Sequence, residues 1–117
     1  MKIISHKIDN YSVEIYAQDK KGARKRWGDR IIRLYSSENL IAQATFACEN
    51  EKTPEPYYSG GIIYSFAPYY QYPSVIDLLR NEKPVFISWR PVADPKEPRD
   101  GDAYFHTDPI VAEKTES

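Results

Sequence analysis

Leu40-Ile41-Ala42-Gln43-Ala44-Thr45-Phe46-Ala47-Cys48 is the stretch from which the fold is read. Leu40, Ala42, Ala44, Phe46 and Cys48 fall on one phase, and Ile41, Gln43, Thr45 and Ala47 on the other. A period of two belongs to a pleated strand with one face against a core. Upstream, Ser12 to Gln18 repeats the pattern, with Val13, Ile15 and Ala17 set against Ser12, Glu14, Tyr16 and Gln18. Lys2 to Ile8, Arg30 to Tyr35, Gly61 to Phe66, Pro84 to Trp89 and Ala103 to His106 supply further strands. Asp9-Asn10 reads as a tight turn between the first two strands, and Ser36-Ser37-Glu38-Asn39 as the turn of a later hairpin.

One helix interrupts the strands. Ser74 stands as N-cap with Asp77 three residues on, a carboxylate variant of the capping box. Val75, Ile76, Leu78 and Leu79 give an apolar stripe, and Arg80 sits where a helix C-terminus favours a cation. Pro84 disfavours helical geometry at Lys83, so the helix runs over 74–82. Five strands, one short helix and two more strands predict an α+β, mostly β fold. Its expected form is an antiparallel meander of about seven strands, curled or partly closed into a barrel. Residues 1–112 make one domain of ordinary size, and 113–117 a polar tail expected to fray. No internal repeat is present.

The stretch Pro73-Ser74-Val75-Ile76-Asp77-Leu78-Leu79-Arg80-Asn81-Glu82-Lys83-Pro84-Val85-Phe86-Ile87 is similar to a segment of small bacterial proteins of no known function. In those a helix runs directly into a strand, as Leu79 to Pro84 does here. The resemblance extends loosely over Ala103 to Glu113, about a quarter of the chain in all. It implies a bacterial source and a helix-then-hairpin ending, with Asp94 to Asp102 lengthening that hairpin. It implies no activity.

Composition narrows the functional classes. The 117 residues carry 16 basic and 17 acidic side chains, a net charge of −1, so no global field favours polyanions. The balance conceals an asymmetry: residues 1–36 sum to +5 and residues 37–117 to −6. Met1 to Lys7 shows no secretory h-region, and no window reaches the apolar length of a membrane span. With a single cysteine, Cys48, the expectation is a soluble cytoplasmic protein without membrane contact.

Two features suit a binding role. The basic loop holds Lys20, Lys21, Arg24, Lys25, Arg26 and Arg30 around Trp27, opposed only by Asp29. A ring among cations can stack on a base while arginines meet phosphates; the competing reading is a solvated hairpin loop or a protein contact. The aromatic segment places Tyr57, Tyr58, Tyr64, Phe66, Tyr69, Tyr70 and Tyr72 within sixteen residues. Strand alternation there aims Ile62, Tyr64 and Phe66 inward and leaves the remaining tyrosines on either side. Tyrosines combine rigid apolar area with a hydroxyl that tolerates water, which suits core capping, an interface or a ligand pocket.

Catalytic and metal signals are thin. His106 and Asp108 have a His-x-Asp spacing, but a facial triad needs a second histidine and only His6 is available. Asp100 to Asp108 lacks the ordered oxygens and terminal Glu of a calcium loop. Cys48 lies on the inward phase as a buried thiol; pairing with His6 or His106 is the other option. Gly60-Gly61 stands alone rather than in a phosphate loop, and Pro91 to Arg99 reads as a stiffened loop or a polyproline docking segment. The expectation is a non-enzymatic binding or protein-interaction module without cofactor or metal, contacting through segment 57–72, with a homodimer or protein partner. A small-molecule barrel, enzymatic or not, with a tyrosine-lined mouth near His106 and Asp108 is the alternative. Weak nucleic-acid binding through the basic loop ranks third.

Overall fold

Two consecutive backbone amides divide the chain between two sheets. The Ile8 amide donates to the Val85 carbonyl at 2.9 Å and the Asp9 amide to the Tyr35 carbonyl at 2.8 Å. The computed structural model describes residues 3–16, 28–47, 52–92 and 101–107. Its strands are β1 (Ile4–Lys7), β2 (Asn10–Ile15), β3 (Arg30–Ser36), β4 (Asn39–Phe46), β5 (Tyr57–Ser59), β6 (Ile62–Ala67), β7 (Phe86–Pro91) and β8 (Gly101–His106). Helix α1 (Tyr72–Asn81) follows a 3-10 turn at Tyr69–Gln71. One sheet has the order β1-β7-β8 and the other β2-β3-β4-β6-β5.

The mostly β, α+β character holds, and so does the single short helix. The meander and the barrel do not. Asp9-Asn10 is a corner between sheets and not a hairpin turn, because β1 pairs with β7 while β2 pairs with β3. β4 and β6 run parallel, since the connection between them includes β5, which folds back along the outer side of β6. Three residues are too few for alternation to reveal, so β5 escapes a reading by periodicity. Its hairpin to β6 turns through Gly60 (φ 60°) and Gly61 (φ 80°), the signature of a type I′ connection.

The core lies between the two sheets. Ile32, Leu34, Ala42, Ala44, Phe46 and Ile63 face Ile87 and Trp89, and α1 adds Leu79. Opposite residues of paired strands share a face, so this side of the larger sheet also carries Tyr11, Val13, Ile15, Ser65, Ala67 and Tyr58. Ile62, Tyr64 and Phe66 therefore point outward, contrary to the expected phase, while Ile63 is fully buried. Both phases of β6 are apolar; pairing with Ala42, Ala44 and Phe46 decides between them. β4 departs from strict alternation at one place, a bulge that sets Leu34 against Ala42 and Tyr35 against Leu40. The extra residue, Ile41, then joins Ala42 in the core while Leu40 crosses to the outer face.

The helix begins earlier than its expected cap. Gln71 is the N-cap with no side-chain hydrogen bond, Pro73 occupies the first turn, and Ser74 lies inside the helix. Proline tolerates the first turn because amides there have no intrahelical acceptor. Asp77 accepts from the Asn81 side chain one turn on and does not close a capping box. Leu79 is buried, with Tyr72, Val75, Ile76 and Leu78 half-buried against the core. No described helix is long and apolar enough to cross a membrane.

Two positions test this architecture. Gly101 lies so close to Trp89 that a Cβ would stand 2.6 Å from both its Cζ2 and the Arg90 carbonyl. Gly101→Ala should lower stability by about 1–3 kcal/mol, read from the urea midpoint. In the β3–β4 hairpin Ser37 (φ 49°) and Glu38 (φ 70°) both occupy the left-handed region without being glycine. Glu38→Gly relieves that strain at some cost in unfolded-state entropy, and should raise stability by about 0.5–1 kcal/mol on the same scale.

Candidate functional site

The tyrosines of segment 57–72 occupy three environments and form no single patch. Tyr58 faces the core, its ring stacked at 6.1 Å on Trp89 of the opposite sheet. Tyr72, in the first turn of α1, meets Phe46 edge-to-face at 5.2 Å and lies under the Arg30 guanidinium at 5.3 Å. These two cap the core, one of the roles open to such a cluster. Tyr57 and Tyr64 stack on the outward face of the larger sheet at 4.7 Å, with Phe66 6.1 Å from Tyr57. They are directly paired across β5 and β6, the arrangement in which cross-strand rings meet. Tyr69 and Tyr70 pair edge-to-face at 5.8 Å on the 3-10 turn and are 41% and 65% exposed.

The outward sheet face continues into polar ground. Arg33 donates to the Glu14 carboxylate across β2 and β3, and the Tyr16 hydroxyl donates to the same oxygen. The hydrogen bond from Arg33 holds the Glu14 carboxyl below its ordinary value. Ser12 and Tyr35 hydroxyls approach at 3.4 Å nearby. This face thus grades from an ion pair on β2 and β3 to stacked rings on β5 and β6. The basic loop residues Lys20, Lys21, Arg24, Lys25, Arg26 and Trp27 lie outside the described residues. So do Cys48, Asp108, Asp94 to Asp100 and the tail 113–117.

The outer face of the smaller sheet carries a cluster not legible as a motif. The Ser88 hydroxyl lies 2.6 Å from His106 Nε2, and the imidazole stacks on Phe86 at 5.4 Å. Tyr104 lies 5.2 Å from the His106 ring and beneath Arg90 at 5.4 Å. A serine–histidine contact suggests nucleophilic chemistry, yet Ser88 is wholly buried and a nucleophile needs access. The contact instead satisfies a buried hydroxyl. Alternation of Phe86, Ser88 and Arg90 against Ile87 and Trp89 was the available sequence signal for this face. Histidine register bears on metals too. His6 pairs with Ile87 and His106 with Phe86, so the two project from opposite faces of one sheet and cannot share an ion. No group of three ligating side chains assembles among the described residues.

Cavities lined by described residues adjoin the core. A groove of about 580 Å³ runs between the Lys7–Tyr11 corner and the Leu79–Val85 end of α1. A smaller cavity of about 270 Å³ lies where Phe46, Ala67, Val75 and Phe105 meet. None of the six tyrosines of segment 57–72 lines either one. No family model, no curated protein and no solved structure matches the chain.

Burial keeps the His6 imidazole below its ordinary value of 6.5. Below that pH an unfolded chain takes up a proton that the folded chain resists. The His6 contribution is therefore complete above about pH 6.5 and lost as pH falls through the lower, folded value. His6→Gln should remove this slope, so that the stability difference between wild type and variant changes with pH below about 6.5. Parallel urea titrations across that range check it; a constant difference would exclude the effect.

Proposed function

We propose that the chain is a non-enzymatic protein-interaction module whose contact surface is the outward part of the aromatic segment. Tyr57, Tyr64 and Phe66 form the sheet portion of that surface, and Tyr69 and Tyr70 the turn that follows. The observation that carries the reading is the 65% exposure of Tyr70 beside a 41% exposed Tyr69. Paired rings left in water at the start of a helix add little to the core. Buried against a partner, rings of this size dominate contact energetics. Tyr58 and Tyr72 drop out of the contact set because Trp89 and Phe46 already cover them.

A second reading draws on the same rings. Aromatic side chains on an open sheet face can stack on bases, and a basic loop of +5 adjoins β3 in sequence. It ranks below the protein reading because Arg33, the described cation on that face, is already engaged by Glu14. The pocket reading has less support, since the tyrosines expected at its mouth line neither of the two cavities described above.

The double variant Tyr69→Ser, Tyr70→Ser separates these readings. Both side chains are exposed, so its melting transition should match wild type within the ordinary scatter for surface substitutions. Affinity capture with wild type and variant in parallel should yield proteins retained by the first and lost by the second. Identical captured sets would remove the protein reading. A salt-sensitive anisotropy shift with single-stranded oligonucleotide, unaccompanied by protein capture, would put the nucleic-acid reading in its place.

A further inference from the structure

Among the described residues β2 ends the larger sheet, and most of its outer edge is open. The Tyr16 amide donates to the Asp29 carbonyl at 2.8 Å, which makes that residue pair a hydrogen-bonded one. Antiparallel ladders alternate, so Glu14, Ser12 and Asn10 also turn their backbone groups toward β3. Tyr11, Val13 and Ile15 then direct theirs away from the sheet, the Tyr11 amide into the Asn10 side-chain oxygen at 2.9 Å. Among the described residues no strand receives them. The side chains tell the same story. Val13 and Ile15 lie on the core side of the sheet, yet they are 38% and 61% exposed.

Protein edges are ordinarily blunted by brevity, lysine, proline or a bulge. The opposite edge of this sheet follows the rule, because β5 has only three residues. β2 has six, without lysine or proline and without a register shift against β3. Its one charge, Glu14, is engaged by Arg33 on the outward face.

We propose that β2 pairs antiparallel with β2 of a second copy of this chain, about a two-fold axis at Val13. That axis sets Val13 against the second copy's Val13, and Tyr11 against the second copy's Ile15. Val13 then exchanges both of its hydrogen bonds with its counterpart, and the Ile15 amide donates to the second copy's Tyr11 carbonyl, the Tyr11 amide being held by the Asn10 side chain. The exposed aliphatic groups cover one another on the core side. Outward, Glu14 meets the second copy's Ser12. The neighbouring registers fit less well. An axis at Glu14 opposes two carboxylates, and one at Ser12 leaves Ile15, the most exposed of the three, without its apolar partner. Charge and burial thus select one register, and the two sheets join into a continuous one. The interface is separate from the aromatic surface and leaves Tyr69 and Tyr70 open.

Sedimentation and amide hydrogen exchange on the wild-type chain, at low and at near-millimolar concentration, test this directly. The mass should rise toward that of two chains as concentration increases. Over the same range the amides of Val13 and Ile15 should slow at least about tenfold, while those of Ser12 and Glu14, already bonded to β3, stay unchanged. Val13→Pro removes only an outward-facing amide, and Val13→Lys places a charge on the edge; both should remain single chains with wild-type circular dichroism. The double variant at Tyr69 and Tyr70 should associate as wild type does. A single chain at the highest concentration would overturn the proposal. So would association without concentration-dependent slowing at these two amides, or undiminished association of folded Val13→Lys.

Discussion

The two-sheet arrangement depends on the corner at Ile8 and Asp9. Adjacent amides point to opposite sides of a strand, and here each side belongs to a different sheet. A net hydrogen-bond contribution of about 1 kcal/mol per bond is modest. The geometric consequence is larger. With both acceptors in place, β1 must run along β7 and β2 along β3, and the apolar faces of the sheets are brought opposite each other. Asp9 adds a third tie, since its carboxylate accepts the Ser37 amide at 2.7 Å and anchors the β3–β4 turn to the same corner.

Packing then explains why the aromatic segment splits. The centre of the larger sheet offers Ala42 and Ala44 to the core cluster that Trp89 enters from the opposite sheet. Trp89 in turn presses on Gly101 across β8 and stacks with Tyr58. One large ring at the centre draws one tyrosine inward from β5. Strand alternation sends its neighbour Tyr57 outward to meet Tyr64. Tyr72 follows the helix inward, and Tyr69 and Tyr70, on a turn with no buried residue, stay in water.

Much of this was legible in the sequence. Alternation locates seven strands near their positions: in 42–46 it tracks the burial of Ala42, Ala44 and Phe46, while in 12–15 it marks the side on which Val13 and Ile15 lie, although both stay exposed. What alternation cannot report is partner choice. A hairpin turn at Asp9-Asn10 requires consecutive strands to pair, and the corner amides send them to different sheets instead. β6 could not be phased from its own residues, since Ile62, Tyr64 and Phe66 are as apolar as Ile63 and Ala67; β4 supplies the phase. The Ile41 bulge hid for a similar reason, because two successive apolar residues disturb a pattern without saying where the extra one goes. Ser88 and His106 are eighteen residues apart, and no local spacing announces a contact made diagonally between strands.

The β1–β7 pairing joins Ile4 to Trp89, across nearly the whole described chain. The hairpin between β3 and β4 closes over two residues, Ser37 and Glu38. Loop-closure entropy grows only with the logarithm of length, so the longer closure costs on the order of 3 kcal/mol more than the short one. The four residue pairs between β1 and β7 and the burial of Ile87 and Trp89 must offset that difference. The smaller sheet therefore carries the greater entropic debt of the two. The residues that secure its long closure are those flanking the corner, near the beginning of the chain.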